Sequence, residues 1–508
     1  MVHISKISIE NFRSIKLLDL DLNQGINAFI GRNNAGKSNI LRAIQILLDE
    51  KWPAYAITED DLPNYDNSLE AKIEIILDEA ILYTYYNMTY KIYGIRLTFN
   101  KNEGGSLVVL DESSNPITNR YGSPIKVGND FREKIPIVYV GIDRNFSQHL
   151  SSDGWNSWNG LLYKISKQLS NKLKENEEEY KKFKESMAKL MQAISTKDLN
   201  QIEDQILNET KSITGAVDVE TKFREPEIDY FYKSLLISIK EGGFGLFPAM
   251  IMGTGFQNGL VVALSRVYNK LVGQGSILII EEPEIYLHPQ ARKYFYSTLK
   301  RILQERTQVI YTTHSSEFVS LDAPETINVV RKNPTDGTKV SQGLNHQWTD
   351  NEEIKFSSRF NTERNELFFS DRVMLVEGPT EKRCVPYAFQ LNGFDINKEN
   401  ISIIDCDGAD GIEFISNILT IFGIPFVILA DKDPRNKDLK AVERRNEILS
   451  RIGNVFFLDP DFEGAFVVKK DGTRSKVSSG LKRMSELKSS DELPPVINEA
   501  IKKLLSVE

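Results

Sequence analysis

Apolar positions in the chain fall into three textures. Residues 2–30 read as two strands around a turn: Ile4, Ile7 and Ile9 alternate with polar residues ahead of Asn11-Phe12-Arg13, and Ile26-Asn27-Ala28-Phe29-Ile30 is a short run of the fully buried type. A glycine-bearing stretch follows, and residues 39–48 then carry apolar side chains at helical spacing. Further strand-like runs lie at 71–77, 95–99, 107–110 and 135–140. From about 161 to 211 glycine and proline nearly vanish, and Lys, Glu, Gln and Asn alternate with Leu, Ile, Phe and Met. That texture predicts two or three long polar helices inserted into the first domain, a solvated hairpin or a dimerisation arm. Strand signals return at 275–280 and 308–311. Residues 332–350, rich in Asn, Asp, Gly, Thr and Gln, read as a loop and edge-strand linker. A last pattern begins at Arg372-Val373-Met374-Leu375-Val376 and repeats at 401–404 and 426–429. Strands separated by helix-length segments predict βαβ units and a mainly parallel sheet.

Length and composition narrow the class. A chain of 508 residues with 41% hydrophobic and 26% charged residues is an ordinary globular protein of roughly three domains, which excludes a disordered or collagen-like chain. No apolar run approaches the ~20 residues that span a bilayer. Two cysteines, Cys384 and Cys406, cannot form a disulfide framework. The opening Met-Val-His-Ile-Ser lacks the layout of a secretory leader, so a cytoplasmic setting is expected. The net charge of −8 argues against a histone-like coat on nucleic acid but leaves room for a local basic path. Stretches 440–445 and 476–483 are candidates for such a path or are solvated surface.

The first chemical site is Gly31-Arg32-Asn33-Asn34-Ala35-Gly36-Lys37-Ser38. Its glycines let backbone N–H groups wrap phosphates, Lys37 reaches the terminal phosphates, and Ser38 holds Mg²⁺. A helix after the loop aims its positive end at the anion. The apolar run 277–280 delivers Glu281-Glu282-Pro283-Glu284 at its tip, where a phosphate-loop NTPase keeps its Mg²⁺ water and catalytic base. Glu281 stands where Asp is usual, and Glu282 is the candidate base. The next strand ends in Thr312-Thr313-His314-Ser315, so His314 is a candidate γ-phosphate sensor.

The second site is a set of acids. Glu377 follows the strand at 372–376, and 426–429 leads to Asp431-Lys432-Asp433. Adjacent parallel strands end at one sheet edge, so these carboxylates can meet. Asp431 and Asp433, two apart, share a direction on an extended backbone. Acids this close repel unless a cation joins them, and oxygen-only ligands favour Mg²⁺ or Mn²⁺. Two such ions would clamp the attacking and leaving oxygens of a phosphodiester.

The order Asn11-Phe12-Arg13-Ser14, phosphate loop, Glu281-Glu282-Pro283-Glu284 and Thr313-His314-Ser315 resembles the ABC-type ATPase head of SMC, RecF and OLD proteins. The resemblance implies ATP as nucleotide, with Arg13, Asn34, Gly36, Lys37, Ser38, Asn39, Glu281 and His314 around it and Glu282 as catalytic base. It also matches the trans-acting signature to Gly253-Thr254-Gly255-Phe256-Gln257, which lacks the usual Ser. The acid pattern resembles the Toprim fold, with Gly408 as the glycine after its second strand. Glu377, Glu381, Asp431, Asp433 and Glu463 are the implied metal ligands. A C-terminal lysine, Lys482 or Lys488, is implied to stabilise phosphate charge, and Lys488 is carried forward with Glu377, Asp431 and Asp433 as catalytic.

Together the halves resemble the OLD (overcoming lysogenization defect) family. The resemblance implies an α/β chain: an ABC-type P-loop ATPase head over 1–160 and 226–350, a helical insertion over 161–225 and a C-terminal Toprim nuclease domain over 366–508. The implied activity is nucleotide-regulated, metal-dependent cleavage or nicking of DNA in bacterial anti-phage defence. A homodimer or higher homo-oligomer is expected, alone or with a helicase or a retron reverse transcriptase as partner. The alternative is an SMC/RecF-like repair or chromosome-organising ATPase with a non-catalytic Toprim fold, which would not need the intact Glu377, Asp431 and Asp433.

Overall fold

A computed structural model describes residues 2–48, 52–125, 127–142, 149–150, 160–194, 197–214, 227–240, 242, 245–273, 276–303, 307–319, 323–433, 438–466 and 476–507. By contact density the chain divides into two units, one of residues 1–142 with 276–508 and the other of residues 143–275.

In chain order the strands are β1 (Ile4–Phe12), β2 (Ile15–Asp21), β3 (Ile26–Ile30), β4 (Ala71–Tyr85), β5 (Met88–Asn100), β6 (Gly104–Leu110), β7 (Ile137–Val140), β8 (Ser238–Lys240), β9 (Leu246–Pro248), β10 (Ser276–Glu281), β11 (Thr307–Thr313), β12 (Ile327–Asn333), β13 (Gly337–Gln342), β14 (Arg372–Val376), β15 (Ile401–Asp405), β16 (Phe426–Asp431) and β17 (Val455–Leu458). The first unit holds an eleven-stranded sheet in the order β6-β5-β4-β1-β2-β13-β12-β3-β11-β10-β7. Its β7-β10-β11-β3-β12 part is parallel, and the remaining pairings are antiparallel. The parallel core is covered on both faces. β3, β10 and β11 are buried at every position, which is why they read as continuous apolar runs. Each fully buried Ile or Phe there contributes about 1.5–3 kcal/mol relative to exposure.

Two expectations need correction. Residues 2–30 form three strands, because Ile15, Leu18 and Leu20 of β2 pack inward while Lys16, Leu17 and Asp19 face solvent. The stretch 332–350 is not an edge. β13 is internal, between β12 and β2, and is polar because its side chains satisfy buried backbone. Thr338 Oγ1 donates to the Ala35 carbonyl at 2.9 Å, and Gln342 Nε2 donates to the Asp21 carbonyl at 2.8 Å.

The second sheet of this unit is β15-β14-β16-β17, parallel throughout. Helices Pro379–Leu391, Ala409–Ile421, Leu439–Ile452 and Pro495–Ser506 accompany it. The segment between the sheets is held by stacked rings, with Phe356 against Phe360 at 4.2 Å and Phe368 edge-on to Phe422 at 5.3 Å. Polar bonds also join the sheets. Arg331 donates from Nη1 to the Ser370 carbonyl (3.1 Å) and from Nη2 to the Asp371 carbonyl (2.6 Å), and Asn365 Nδ2 donates to the Ser316 carbonyl (2.9 Å).

The other unit holds helices Leu161–Glu175, Glu177–Ile194 and Lys197–Thr214. Helix Thr254–Val272 packs on Leu161–Glu175. Leu161, Leu162 and Ile165 are buried, whereas Leu190, Ile194, Ile202 and Ile206 are exposed. The Gly253–Gln257 stretch opens helix Thr254–Val272, with Gly253 as N-cap. Among the described residues no helix is long and apolar enough to cross a membrane.

Candidate nucleotide and nuclease sites

The nucleotide site lies at the C-terminal ends of β3, β10 and β11. Because Thr313 pairs with Ile30 and Glu281 with Thr312, the sheet register sets Gly31, Glu282 and His314 side by side. Gly31 sits against β12, and a Cβ there would lie 2.2 Å from the Val330 carbonyl oxygen. Gly36 has φ +106°, and a Cβ would meet Thr338 Oγ1 at 2.2 Å. Both positions therefore require glycine. Helix Lys37–Leu48 begins directly after the loop.

Lys37 is buried, and its ammonium donates to the Gly31 and Arg32 carbonyls, each at 2.8 Å. Burial lowers its pKa to about 8 against the opposing pull of Glu282 and Glu284. Glu282 has φ +45°, an uncommon conformation held by its N–H donating to the Thr312 carbonyl at 2.9 Å. Its Oε1 stands 3.2 Å from His314 Nε2. His314 is held below its usual pKa by burial and by Lys37. Glu281 is buried and accepts from the Tyr139 hydroxyl. Arg13, at φ +52°, donates from Nε to Asp61 Oδ1 at 2.7 Å and reaches Asn39 Oδ1 at 3.4 Å. Asn34 is exposed at φ +64° at the loop's crest.

Glu284 is a residue whose part the sequence did not reveal. Only 7% exposed, it accepts from the His314 N–H (2.7 Å) and Thr313 Oγ1 (2.8 Å). It is the brace that fixes His314, and its Oε2 is buried with no hydrogen-bond partner among the described residues. Its place at the end of the Glu-Glu-Pro-Glu run was the available signal.

The acid cluster lies at the C-terminal edge of the smaller sheet. Val376 pairs with Leu429, so Glu377 and Asp431 emerge together. The Asp431 N–H donates to Glu377 Oε1 at 3.0 Å. The Phe462 N–H donates to Asp431 Oδ1 at 3.0 Å, which ties in the segment after β17. Gly408, at φ +93°, donates its N–H to the Glu377 carbonyl at 2.8 Å. Glu381 is buried in the first turn of helix Pro379–Leu391, and Glu463 lies on the short helix Phe462–Ala465. Asp433, at φ +50°, donates its N–H to the Pro460 carbonyl at 2.8 Å.

Burial and mutual repulsion both act on these acids. Burial and the neighbouring Glu381, Glu377 and Asp433 push Asp431 up to about 8. Burial, with Glu463 and Glu377, pushes Glu381 up to about 7. Glu377 is raised mainly by burial, against the pull of Arg445. Half-buried, oxygen-only donors that raise one another's pKa fit a hard divalent cation. Among the described residues no three such groups stand at finished metal-holding spacing. Two cations hold outer members of the set: Arg445 Nη1 donates to Asp433 Oδ2 at 3.2 Å, and Lys476 Nζ stands 3.0 Å from Glu463 Oε1. The two basic stretches read as surface or DNA path thus each send one side chain to the acids. Lys488 and Lys482 are exposed, and the Lys488 backbone N–H donates to Glu492 Oε1 at 3.0 Å.

Residues 3–103 and 92–319 match the family model described as AAA ATPase domain. Residues 368–433 match the model described as Overcoming lysogenization defect protein-like, TOPRIM domain. The chain is 29% identical over 539 residues to the OLD nuclease of Thermus scotoductus, covering 99% of each chain. It is 27% identical over 496 residues to the Old nuclease of Escherichia phage P2, covering 89% of this chain and 82% of that one. With Endonuclease GajA of Bacillus cereus strain VD045 the identity is 25% over 474 residues, covering 85% and 75%. Fold and family matches define a P-loop ATPase domain joined to a Toprim domain. The chain belongs to the OLD family of ATPase–Toprim nucleases.

Proposed function

We propose that this OLD-family nuclease is a nucleotide-regulated DNA endonuclease or nickase that uses ATP and Mg²⁺ or Mn²⁺, acts as a cytoplasmic homodimer and serves bacterial defence against phage. The observation that carries the reading is the Asp431 N–H donating to Glu377 Oε1 inside a half-buried acid cluster. Glu377, Glu381, Asp431, Asp433 and Glu463 would hold the divalent ion. When bound, the ion supplies Lewis-acid stabilisation of phosphodiester oxygens and lowers the pKa of an attacking water. The chain's own residues orient the acids: the Asp431 N–H fixes Glu377, the Phe462 N–H fixes Asp431, and the Gly408 N–H anchors the Glu377 backbone. Lys476 offers positive charge to a phosphate beside Glu463, and Lys488 is the other candidate for that part.

At the nucleotide site Lys37 exchanges its loop carbonyls for phosphate oxygens. Ser38, Asn34, Gly36 and Asn39 line the phosphates, Arg13 flanks them, and Glu281 takes the metal-water side. Glu282 accepts a proton from the attacking water, and His314 senses the terminal phosphate. The partition into ATPase parts 1–160 and 226–350, an insertion over 161–225 and a Toprim domain over 366–508 belongs to this proposal. Its dimer is supported by the exposed apolar residues of the insertion, with a helicase or a retron reverse transcriptase as companion.

Plasmid cleavage tests the reading. With Mg²⁺ or Mn²⁺ present, wild type converts supercoiled DNA to nicked or linear form and Asp431→Ala does so at least ~100-fold more slowly, by analogy with removal of one essential group from a catalytic set. Equal cutting by both would remove the assignment.

A further inference from the structure

Arg445 lies on helix Leu439–Ile452, and its side chain is only 19% exposed. Its guanidinium reaches all three acids of the Glu…Asp-x-Asp set. Nη1 donates to Asp433 Oδ2 at 3.2 Å and stands 3.8 Å from Glu377 Oε1. Nη2 donates to the Asp431 carbonyl, and Nε and Nη2 both donate to Asn446 Oδ1 at 3.0 Å. Guanidinium cannot be deprotonated in a protein, and its planar fork fixes the groups that it binds. Its contacts divide the acids. Asp433 and one oxygen of Glu377 lie beside a permanent positive charge. The Asp431 carboxylate is held instead by the Phe462 amide, and Glu463 by Lys476.

We infer that Arg445 is the resident counter-charge of the nuclease site: a positioning residue that holds Glu377 and Asp433 in place and with which an incoming divalent ion competes for those two carboxylates. Asp431 and Glu381 would be open to the ion without displacing the guanidinium, whereas Asp433 would take part only if the guanidinium moved away. The site thereby stays ordered without an ion, and the free-ion concentration at which it loads is set higher than the acids alone would set it. This rests on the metal-dependent nuclease reading.

The test is a Mn²⁺ titration of the full-length protein without nucleotide, following free Mn²⁺ by electron paramagnetic resonance. Arg445→Gln removes a unit charge a few ångströms from the ion and is expected to tighten Mn²⁺ binding about tenfold, a modest fraction of the Coulomb term at that range. Arg445→Lys keeps the charge and stays within about twofold of wild type on the same reasoning. Arg445→Met, with a similar apolar stem, serves if Arg445→Gln folds poorly by its unfolding midpoint, and carries the same expectation. A purely structural arginine predicts the opposite sign, since loosening Glu377 and Asp433 weakens binding. Unchanged or weaker Mn²⁺ binding in the folded neutral variant overturns the inference. Undiminished Mn²⁺ binding by Asp431→Ala instead overturns the underlying nuclease-site reading.

Discussion

Glu282, Glu284 and His314 illustrate how single residues divide the labour of one site. Glu284 is committed to the His314 N–H and Thr313, whereas Glu282 leans on the histidine ring and retains a carboxylate near Lys37. Glu282→Gln is therefore expected to retain ATP while hydrolysis falls on the order of 10²-fold or more, the scale of a lost general base. Filter binding and phosphate release measure the two separately. Lys37 adds a pH dependence. With its pKa lowered to about 8, the ammonium is mostly charged at pH 7 and mostly neutral at pH 9. ATP affinity should fall as pH rises through that value, a trend that equilibrium dialysis at fixed ionic strength would follow.

At the scale of elements, β14 is the piece that touches both chemistries. Its C-terminal end presents Glu377, and its root meets the phosphate loop, where Arg32 is ion-paired with Asp371 and Arg331 holds the Ser370 and Asp371 carbonyls. A movement of the loop on nucleotide binding would act on the strand that carries the proposed nuclease acid. Arg32 is half exposed and Asp371 a third exposed, so their pair contributes at most about 1 kcal/mol to stability. Asp371→Ala should leave the unfolding midpoint within about 2 °C of wild type for a unit this large. The ratio of plasmid cleavage with ATP to that without should move toward one; a ratio equal to wild type's would show that β14 does not relay the signal.

On the scale of the whole molecule, the buried acids link stability to pH and metal. Burial, with Glu381, Glu377 and Asp433 nearby, pushes Asp431 up to about 8 in the folded protein, far above the ordinary aspartate range. The folded state therefore holds more protons than the unfolded state between that range and the raised value, and stability falls as pH rises from one to the other. Glu381, raised to about 7, acts in the same direction. Chelator-treated protein should melt progressively lower from about pH 5 to pH 8, by on the order of several degrees. Asp431→Asn should flatten the slope, and added Mn²⁺ should restore the midpoint at pH 8. Scanning calorimetry across that range checks all three. Light scattering by the intact chain checks the expected dimer; a monomer at micromolar concentration would remove that part of the proposal.

The phosphate loop, the Glu-Glu-Pro-Glu strand tip and the Asp-x-Asp were legible in the sequence because each depends on neighbours along the chain. Glycines at the fixed spacing of Gly31 and Gly36, and acids just past buried runs, bring their meaning with them. So did the parallel core, whose strands must be apolar on both faces. Tertiary structure alone decided what lies opposite. It put β13 inside the sheet despite its polar composition, because Thr338 and Gln342 answer buried carbonyls of distant segments. It turned Arg445 and Lys476, which on composition are surface charge, into counter-ions of Asp433 and Glu463. Charge pairing depends on distance through space, and a sequence records only distance along the chain.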